Sequence, residues 1–267
     1  MTGTIFITGG SSGIGLALSR RYAAKGWRLL WASLDADEIA QARAILTAER
    51  PDIQIEALAI DLAKPAAPAR AAAWAAEQGG ADILVNNAGF GVYGASCDLP
   101  IEAEQAMMAV NMAAPHALCR LMLPALEARA EQTGQPVSIV NIASNSAFTP
   151  APFLAMYAAT KAFVRHYSDA LALELAEAGS KVRVHTICPS AVADTPFRER
   201  ADMDDVRTFS SFTATTAAEV ARDVERAIEA GRRFTITGWR MRAAYIAMKL
   251  MPAPLVRALT RREVGRV

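Results

Sequence analysis

The sequence predicts an α/β fold: a single doubly wound, mostly parallel sheet with helices on both faces and a short basic helical extension at the C-terminus. Three observations predict it. Short β-branched or apolar runs alternate with longer alanine-rich stretches of helical periodicity. Those short runs are apolar on both sides, as strands buried from two faces are. The length, 267 residues, suits one α/β domain better than two.

The elements follow in order. GTIFIT, WRLLWAS, DIQIEALAI, ADILVNN, VSIVNIA and KVRVHTIC read as six strands. Helical periodicity places helices near 13–25, 35–49, 66–77, 101–129 and 152–178 between them. Beyond Cys188-Pro189 the pattern gives way to a loop-rich stretch to about Thr216, then a helix over 217–230 and a short strand, RRFTIT. Asp35 opens the second helix with D-A-D-E, the composition of an N-cap and an acidic first turn. No internal repeat or linker marks a second domain, so 1–238 is expected to be the catalytic unit, with a substrate loop at about 190–216, and 239–267 its helical extension.

Composition narrows the function. Apolar residues make up 52% and charged residues 21%, enough for a large core. The three cysteines, Cys97, Cys119 and Cys188, are scattered without CxxC spacing, which argues for a reducing compartment and against a disulfide framework or zinc site. The histidines, His116, His166 and His185, have neither ligand nor triad spacing. The N-terminus enters an apolar run without a basic region or cleavage site, so no signal peptide is expected. No run of 18 apolar residues is present, and no membrane-spanning helix is expected. A cytoplasmic location and no nucleic-acid partner are the corresponding expectations.

Two short stretches carry chemistry. Directly after the first strand, T-G-G-S-S-G-I-G opens the first helix with glycines at Gly9, Gly13 and Gly15. A strand, glycine turn and helix N-terminus form a place for pyrophosphate, because glycine permits close backbone approach and the helix end offers free N–H groups. Further on, Tyr157-Ala-Ala-Thr-Lys161 places a phenol and an ammonium four residues apart, on one helix face. A nearby ammonium lowers a tyrosine pKa from about 10, and such a tyrosine can give a proton to an alkoxide or take one from an alcohol.

Together these motifs resemble the short-chain dehydrogenase/reductase family of NAD(P)-binding Rossmann-type oxidoreductases, over about residues 3–237. Asn86-Asn87-Ala88-Gly89 follows the fourth strand as the family's NNAG does, and Ser144 precedes Tyr157 by thirteen residues. The resemblance implies that Ser144 hydrogen-bonds the substrate oxygen and that Tyr157 is the general acid/base. It implies that Lys161 lowers the tyrosine pKa and holds the nicotinamide ribose, and that Asn111 supports a water linking Lys161 to solvent. Cofactor contacts are implied for Gly9, Ser11, Ser12, Gly13, Ile14, Gly15, Ser33, Asp61, Leu62, Asn87, Ala88, Gly89, Tyr157, Lys161, Pro189, Val192 and Thr195. Blander readings stand beside these: Ser144 could simply form a turn, Asn111 could satisfy backbone groups freed by Pro115, and Asn86-Asn87 could stitch strand ends.

Two departures from the family pattern bear on ligands. At the end of the second strand Ser33 stands where an acid would select NAD, and Leu34 where NADP users often carry arginine. With no acid at that site, and Ser11, Ser12 and Ser33 able to bond a phosphate, NADP is favoured over NAD. Pro189 is followed by Ser190 in place of glycine, which narrows the backbone's approach to the nicotinamide, and Thr195 lies one residue out of register. Phe197, Phe209 and Phe212 in the loop, with F-T-P-A-P-F (148–153) and Phe90 to Tyr93, are candidate walls for an apolar substrate.

From Arg232 onward nine Lys/Arg face one acid, Glu263, whereas the preceding residues carry 19 Lys/Arg against 26 Asp/Glu. Pro252 and Pro254 divide this tail into two short helices. A basic amphipathic tail is a candidate for peripheral membrane contact or for packing on its own core or another subunit. The expected activity is NAD(P)-dependent interconversion of a small-molecule carbonyl and a secondary alcohol, on an apolar or lipid-like ketone or alcohol if the loop aromatics wall the site, in a homodimer or homotetramer. The competing class is a non-catalytic dinucleotide-binding sensor or scaffold of the same fold.

Overall fold

The computed structural model describes residues 3–266; residues 1, 2 and 267 of the expected spans lie outside the described ones. Seven parallel strands form one sheet: β1 (Thr4–Thr8), β2 (Arg28–Ser33), β3 (Ile55–Ala59), β4 (Ile83–Asn86), β5 (Val137–Ile142), β6 (Val182–Cys188) and β7 (Phe234–Ile236). Their spatial order is β3-β2-β1-β4-β5-β6-β7. The chain therefore works outward from β1 to β3, then returns to the other side of β1. That reversal opens a crevice between the carboxyl ends of β1 and β4, the usual ligand position in an open parallel sheet.

Alternation along each strand feeds two cores. Ile5, Ile7, Leu29, Trp31 and Val85 face one layer, where α1 (Gly13–Ala24), α2 (Ala36–Glu49) and α8 (Ala217–Glu229) contribute Leu18, Leu46 and Val220. Phe6, Leu30 and Leu84 face the other, against α3 (Ala67–Glu77), α5 (Ala114–Thr133) and α6 (Ala155–Glu177). Both strand faces are thus covered, which is why the strand segments lack polar alternation. α8 starts on a capping box: the Thr216 hydroxyl accepts from the Glu219 amide and the Glu219 carboxylate from the Thr216 amide. Asp35 caps α2 as its sequence suggests, accepting from Asp37 and Glu38 amides at 2.8 and 3.0 Å.

The helix expected over 101–129 differs in two ways. It comprises α4 (Ile101–Met108), a π turn (Ala109–Ala113) and α5, and runs on to Thr133. In the π turn the Ala114 amide reaches back five residues to the Ala109 carbonyl. Pro115 has no amide to give, so it cannot donate to the Asn111 carbonyl four residues earlier. Because the π turn keeps the helix continuous, Ile101–Thr133 reaches the length and hydropathy of a membrane-spanning helix, contrary to the expectation from apolar runs alone. Here its Leu118, Cys119, Met122, Leu126 and Ala130 lie in the core beside α3 and the sheet.

The tail forms α9 (Trp239–Leu250) and α10 (Ala253–Glu263), broken at Pro252 as the prolines suggested. Both fold back over the carboxyl edge of the sheet. Tyr245 packs on Phe148 and Phe234, with ring centroids 4.5 and 6.4 Å away, and the Tyr93 hydroxyl donates to the Val264 carbonyl at 2.7 Å.

Leu84 sits in the central strand with no exposed surface. Leu84→Ala should cost about 2–5 kcal/mol of stability, read as a lowered urea midpoint at unchanged m-value. A loss below about 1 kcal/mol would mean that the layer beneath β4 collapses to fill the space.

Candidate active site

The glycine turn is built by backbone approach. Gly9 has φ +66° and Gly13 φ +51°, conformations that favour glycine, and the Gly9 amide bonds the Ala32 carbonyl at 2.8 Å. A Cβ on Gly15 would fall on the Gly9 carbonyl oxygen, so α1 packs against the turn only with glycine there. Ser12 is the N-cap of α1, yet its hydroxyl makes no capping bond, and the first-turn amides keep their positive end for an anion. Across the crevice Asn87 donates its side-chain amide to the carbonyls of Thr8 and Gly9 at 2.9 and 3.1 Å, stitching the strand ends. Asn86 does likewise deeper in the sheet, donating to Asn141 Oδ1 at 2.7 Å.

These groups line one end of a cavity of about 970 Å³. Gly9, Ser11, Ser12, Gly13, Ile14, Ser33, Asp61, Leu62, Asn87, Ala88 and Gly89 line it, as do Pro189, Val192 and Thr195. Gly15 and Asn111 do not; both act from behind the wall. Thr195, in doubt from its register, lies in the cavity with its methyl group against Gly13. Ser190 turns its hydroxyl onto Thr215 Oγ1 at 3.2 Å, so its side chain is drawn into the loop's own base.

At the β2 end, the Ser33 hydroxyl is buried and has no hydrogen-bond partner. Two residues here escaped sequence reasoning: Glu38 in the first turn of α2, and Arg200, which ends the short helix α7 (Phe197–Arg200). Arg200 Nη2 lies 2.9 Å from Glu38 Oε2, so the loop reaches across to this corner of the groove. No sequence signal links residues 162 positions apart.

At the other end Ser144, Tyr157 and Lys161 line the same cavity. Ser144 follows β5, accepts from the Ser146 amide and donates to Asn145 Oδ1, both at 3.2 Å, so it also forms the turn of the bland reading. Lys161 Nζ donates to the Ile142 carbonyl at 3.1 Å and stands 5.7 Å from the Tyr157 ring centre. Burial pushes the Tyr157 phenol up to about 12, with Ser144 acting in the opposite direction. Burial likewise pulls Lys161 down to about 8. The tyrosine is thus raised where a lowering by lysine was expected, because desolvation favours the neutral form of both groups and is the largest cause at each.

Asn111 is 1% exposed in the π turn. Its side chain accepts from the Phe90 amide at 3.1 Å and donates to the Phe90 carbonyl and Thr160 Oγ1 at 2.9 and 3.1 Å. It therefore fixes the 89–90 loop against α6 instead of serving its own helix. A Cβ on Gly89 would stand 3.0 Å from Asn111 Oδ1 and 3.2 Å from Lys161 Nζ, which ties NNAG to the Tyr-Lys end.

The outer half of the cavity is apolar, with Leu154, Phe197, Met203 and Phe209 on its walls and Met241 and Met248 of α9 above. Phe197 packs on Tyr157, ring centres 5.4 Å apart. Phe90 also lines it, but four other candidate walls do not. Phe148 is held between Tyr245 and Arg165, Tyr93 and Phe153 stack on each other, and Phe212 points out beside Trp239. The tail's contribution was missed in their place. Among the histidines, buried His185 is held between Ser138 Oγ and the Arg232 carbonyl, and His116 packs edge-on against Tyr167. No cluster of metal-ligating side chains occurs among the described residues.

A glycine cradle in which Gly15 admits no Cβ, leading to paired hydroxyls and a lysine, suits a dinucleotide lying along the groove. A sequence profile of the short chain dehydrogenase family matches residues 3–205. The chain belongs to the short-chain dehydrogenase/reductase family. It is 34% identical over 217 residues to D-beta-hydroxybutyrate dehydrogenase of Rhizobium meliloti (strain 1021), covering 78% of each chain. Among solved structures it resembles a short-chain dehydrogenase from Sphingobium yanoikuyae in complex with NADPH, with TM-score 0.78 and 29% identity over 92% of this chain and 91% of that one. It also resembles the bulky-bulky ketone specific alcohol dehydrogenase of Comamonas testosteroni, with TM-score 0.72 and 27% identity over 92% of both. This short-chain dehydrogenase/reductase is an NAD(P)-dependent oxidoreductase of CH–OH and C=O groups.

Gly89→Ala should therefore displace Asn111 and Lys161 and lower kcat by about tenfold or more, while thermal stability changes little. Steady-state kinetics beside a melting curve would check this; an unchanged kcat would detach the NNAG loop from the Tyr-Lys end.

Proposed function

We propose that this family member uses NADPH to reduce an apolar, lipid-like ketone, with Tyr157 as the proton donor. The observation that carries this reading is the shared cavity: Ser144 and Tyr157 face the same space that Leu154, Phe197, Phe209, Met241 and Met248 make apolar. The bound dinucleotide supplies the hydride. Ser144 offers its hydroxyl to the substrate oxygen. Tyr157, with a phenol pushed up to about 12, holds its proton at neutral pH and can deliver it to the oxygen as negative charge develops there. The Comamonas relative's description as bulky-bulky ketone specific supports a large apolar substrate.

For the cofactor, Asp35 turns its carboxylate onto the α2 amides and the Ser33 hydroxyl is unpartnered, so neither residue opposes a 2′-phosphate. Arg200, paired there with Glu38, is the cation at that corner that a 2′-phosphate would engage. Exposed Ile101, Met108, Leu121 and Leu173 on the long helices support pairing of copies into a dimer or tetramer, which light scattering would test.

Tyr157→Phe should lower kcat at least about a hundredfold while leaving NADPH binding, read by fluorescence, nearly unchanged. Retained turnover would remove Tyr157 from the chemistry, and no NADPH oxidation across a ketone panel would favour the sensor class. Lys161, pulled down to about 8, carries its charge below that pH and loses it above. The kcat/KM for reduction should therefore fall as pH rises through about 8, and Lys161→Arg should move that limb upward. Arg200→Ala should raise the KM for NADPH about tenfold, the scale of one charge-assisted hydrogen bond, and leave that for NADH almost unchanged.

A further inference from the structure

The chemistry proposed above leaves the outer side of the tail unused. Helix α9 is apolar on two opposite faces. Met241, Ala244 and Met248 look into the cavity. Trp239, Ala243, Ile246 and Leu250, spaced four, three and four residues apart, share the other face. There Trp239, Ile246 and Leu250 are 67%, 62% and 84% exposed. Phe212 of the substrate loop extends this surface, its ring 6.4 Å from Trp239 and capped by the Arg240 guanidinium at 4.8 Å. On α10, Leu255 and Leu259 share a face with Arg262 and are also exposed.

The charges around this surface are unbalanced. Among the described residues the tail's ion pairs are those of Arg242 with Asp223 and of Arg266 with Asp202 and Asp205. Arg240, Lys249, Arg257, Arg261 and Arg262 have no ion-pair partner among the described residues. At the end of α10 a hollow of about 360 Å³ is lined by Arg207, Arg261, Arg262 and Arg266 with Ala258 and Gly265. Arg266 there is held by Asp202 and Asp205, but Arg207, Arg261 and Arg262 carry no ion pair among the described residues, and three such arginines beside one hollow suit a phosphate group.

A second copy of the chain is a poor occupant, because a two-fold interface sets a patch against itself and would bring these cations together. An apolar helix face flanked by cations is instead the form that lies in the surface of an anionic bilayer. We propose that α9 and α10 dock this enzyme on an anionic membrane, with Trp239, Ile246 and Leu250 entering the acyl boundary and the arginine hollow taking a lipid phosphate. The roof of the active-site cavity then faces the bilayer, and an apolar substrate dissolved there has a short path to Tyr157. That path rests on the apolar-ketone reading; the docking itself does not.

The test is co-sedimentation of the full chain with vesicles of phosphatidylglycerol in phosphatidylcholine, against vesicles of phosphatidylcholine alone. The chain should pellet with the anionic vesicles only, and less as salt rises. The pair Ile246→Asp and Leu250→Asp, and separately the pair Arg261→Glu and Arg262→Glu, should each weaken partition by about tenfold or more. Because these side chains are exposed, circular dichroism and NADPH-dependent turnover of a short water-soluble ketone should stay unchanged. The proposal is overturned if the wild type ignores anionic vesicles, or if both variants pellet as it does. It is equally overturned if light scattering shows that I246D/L250D merely splits an oligomer while the wild type binds no lipid. Absence of turnover with any ketone defeats the reductase reading alone and leaves the sedimentation result standing.

Discussion

The Thr8 hydroxyl sits at the fork where the sheet reverses direction, accepting from the amides of Asn87 and Ala88, both at 3.0 Å. The Asn87 side chain returns across the gap to the carbonyls of Thr8 and Gly9. Here β1 and β4 diverge into a glycine turn and the NNAG loop, so backbone groups that a continuing ladder would pair must find other partners. These bonds supply them and fix the width of the crevice. Ligand-binding groups on both sides then inherit their positions: Gly9 and Gly13 from one strand, Ala88 and Gly89 from the other. Through Gly89 the fork also sets the place of Asn111 and Lys161.

Burial governs the electrostatics of the chemical end. Tyr157 and Lys161 are each pushed toward neutrality, the phenol up to about 12 and the ammonium down to about 8. A lysine four residues from a tyrosine would acidify it in water-like surroundings, but in a desolvated pocket each group's own loss of hydration dominates. The result is a protonated phenol poised beside the Ser144 hydroxyl. An apolar roof adds to this desolvation, because Met241, Met248 and Phe197 line the same cavity as Tyr157 and Lys161.

The substrate loop and the tail meet over that pocket. Val206 pairs with Arg266 in an isolated bridge, the Arg207 amide bonds the Gly265 carbonyl at 3.3 Å, and Val264 joins Met203 and Phe209 in a small core. Arg200 ties the loop's first helix to Glu38 on the far side of the groove. The loop is therefore held at both ends of the cavity, by an ion pair at the β2 corner and by apolar contacts beneath the tail.

Much of this was legible in the residues, for a physical reason. Strand alternation, the Asp35 cap, the helix-opening glycines and the Tyr-Lys spacing are local relations, fixed by the periods of strand and helix and by backbone geometry. They placed every strand, the glycine turn and the helix that carries Tyr157 and Lys161. The π turn was half legible, since Pro115 was visible but its effect on the hydrogen-bond ladder was not. What lay beyond reading were relations across space. Arg200 meets Glu38, Asn111 grips Phe90, and the tail's methionines roof the cavity only because distant segments converge on the same sheet edge. Phe148 and Phe212 looked like pocket walls by composition and were turned away by packing with Tyr245 and Trp239. The sequence by itself determined the strands, the glycine turn and the spacing that sets Tyr157 and Lys161 on one helix face, because each rests on contacts within a few residues or on a fixed periodicity. Only the tertiary structure decided how far Tyr157 and Lys161 are desolvated and what shape their pocket has, because desolvation and enclosure depend on which remote side chains close over the site.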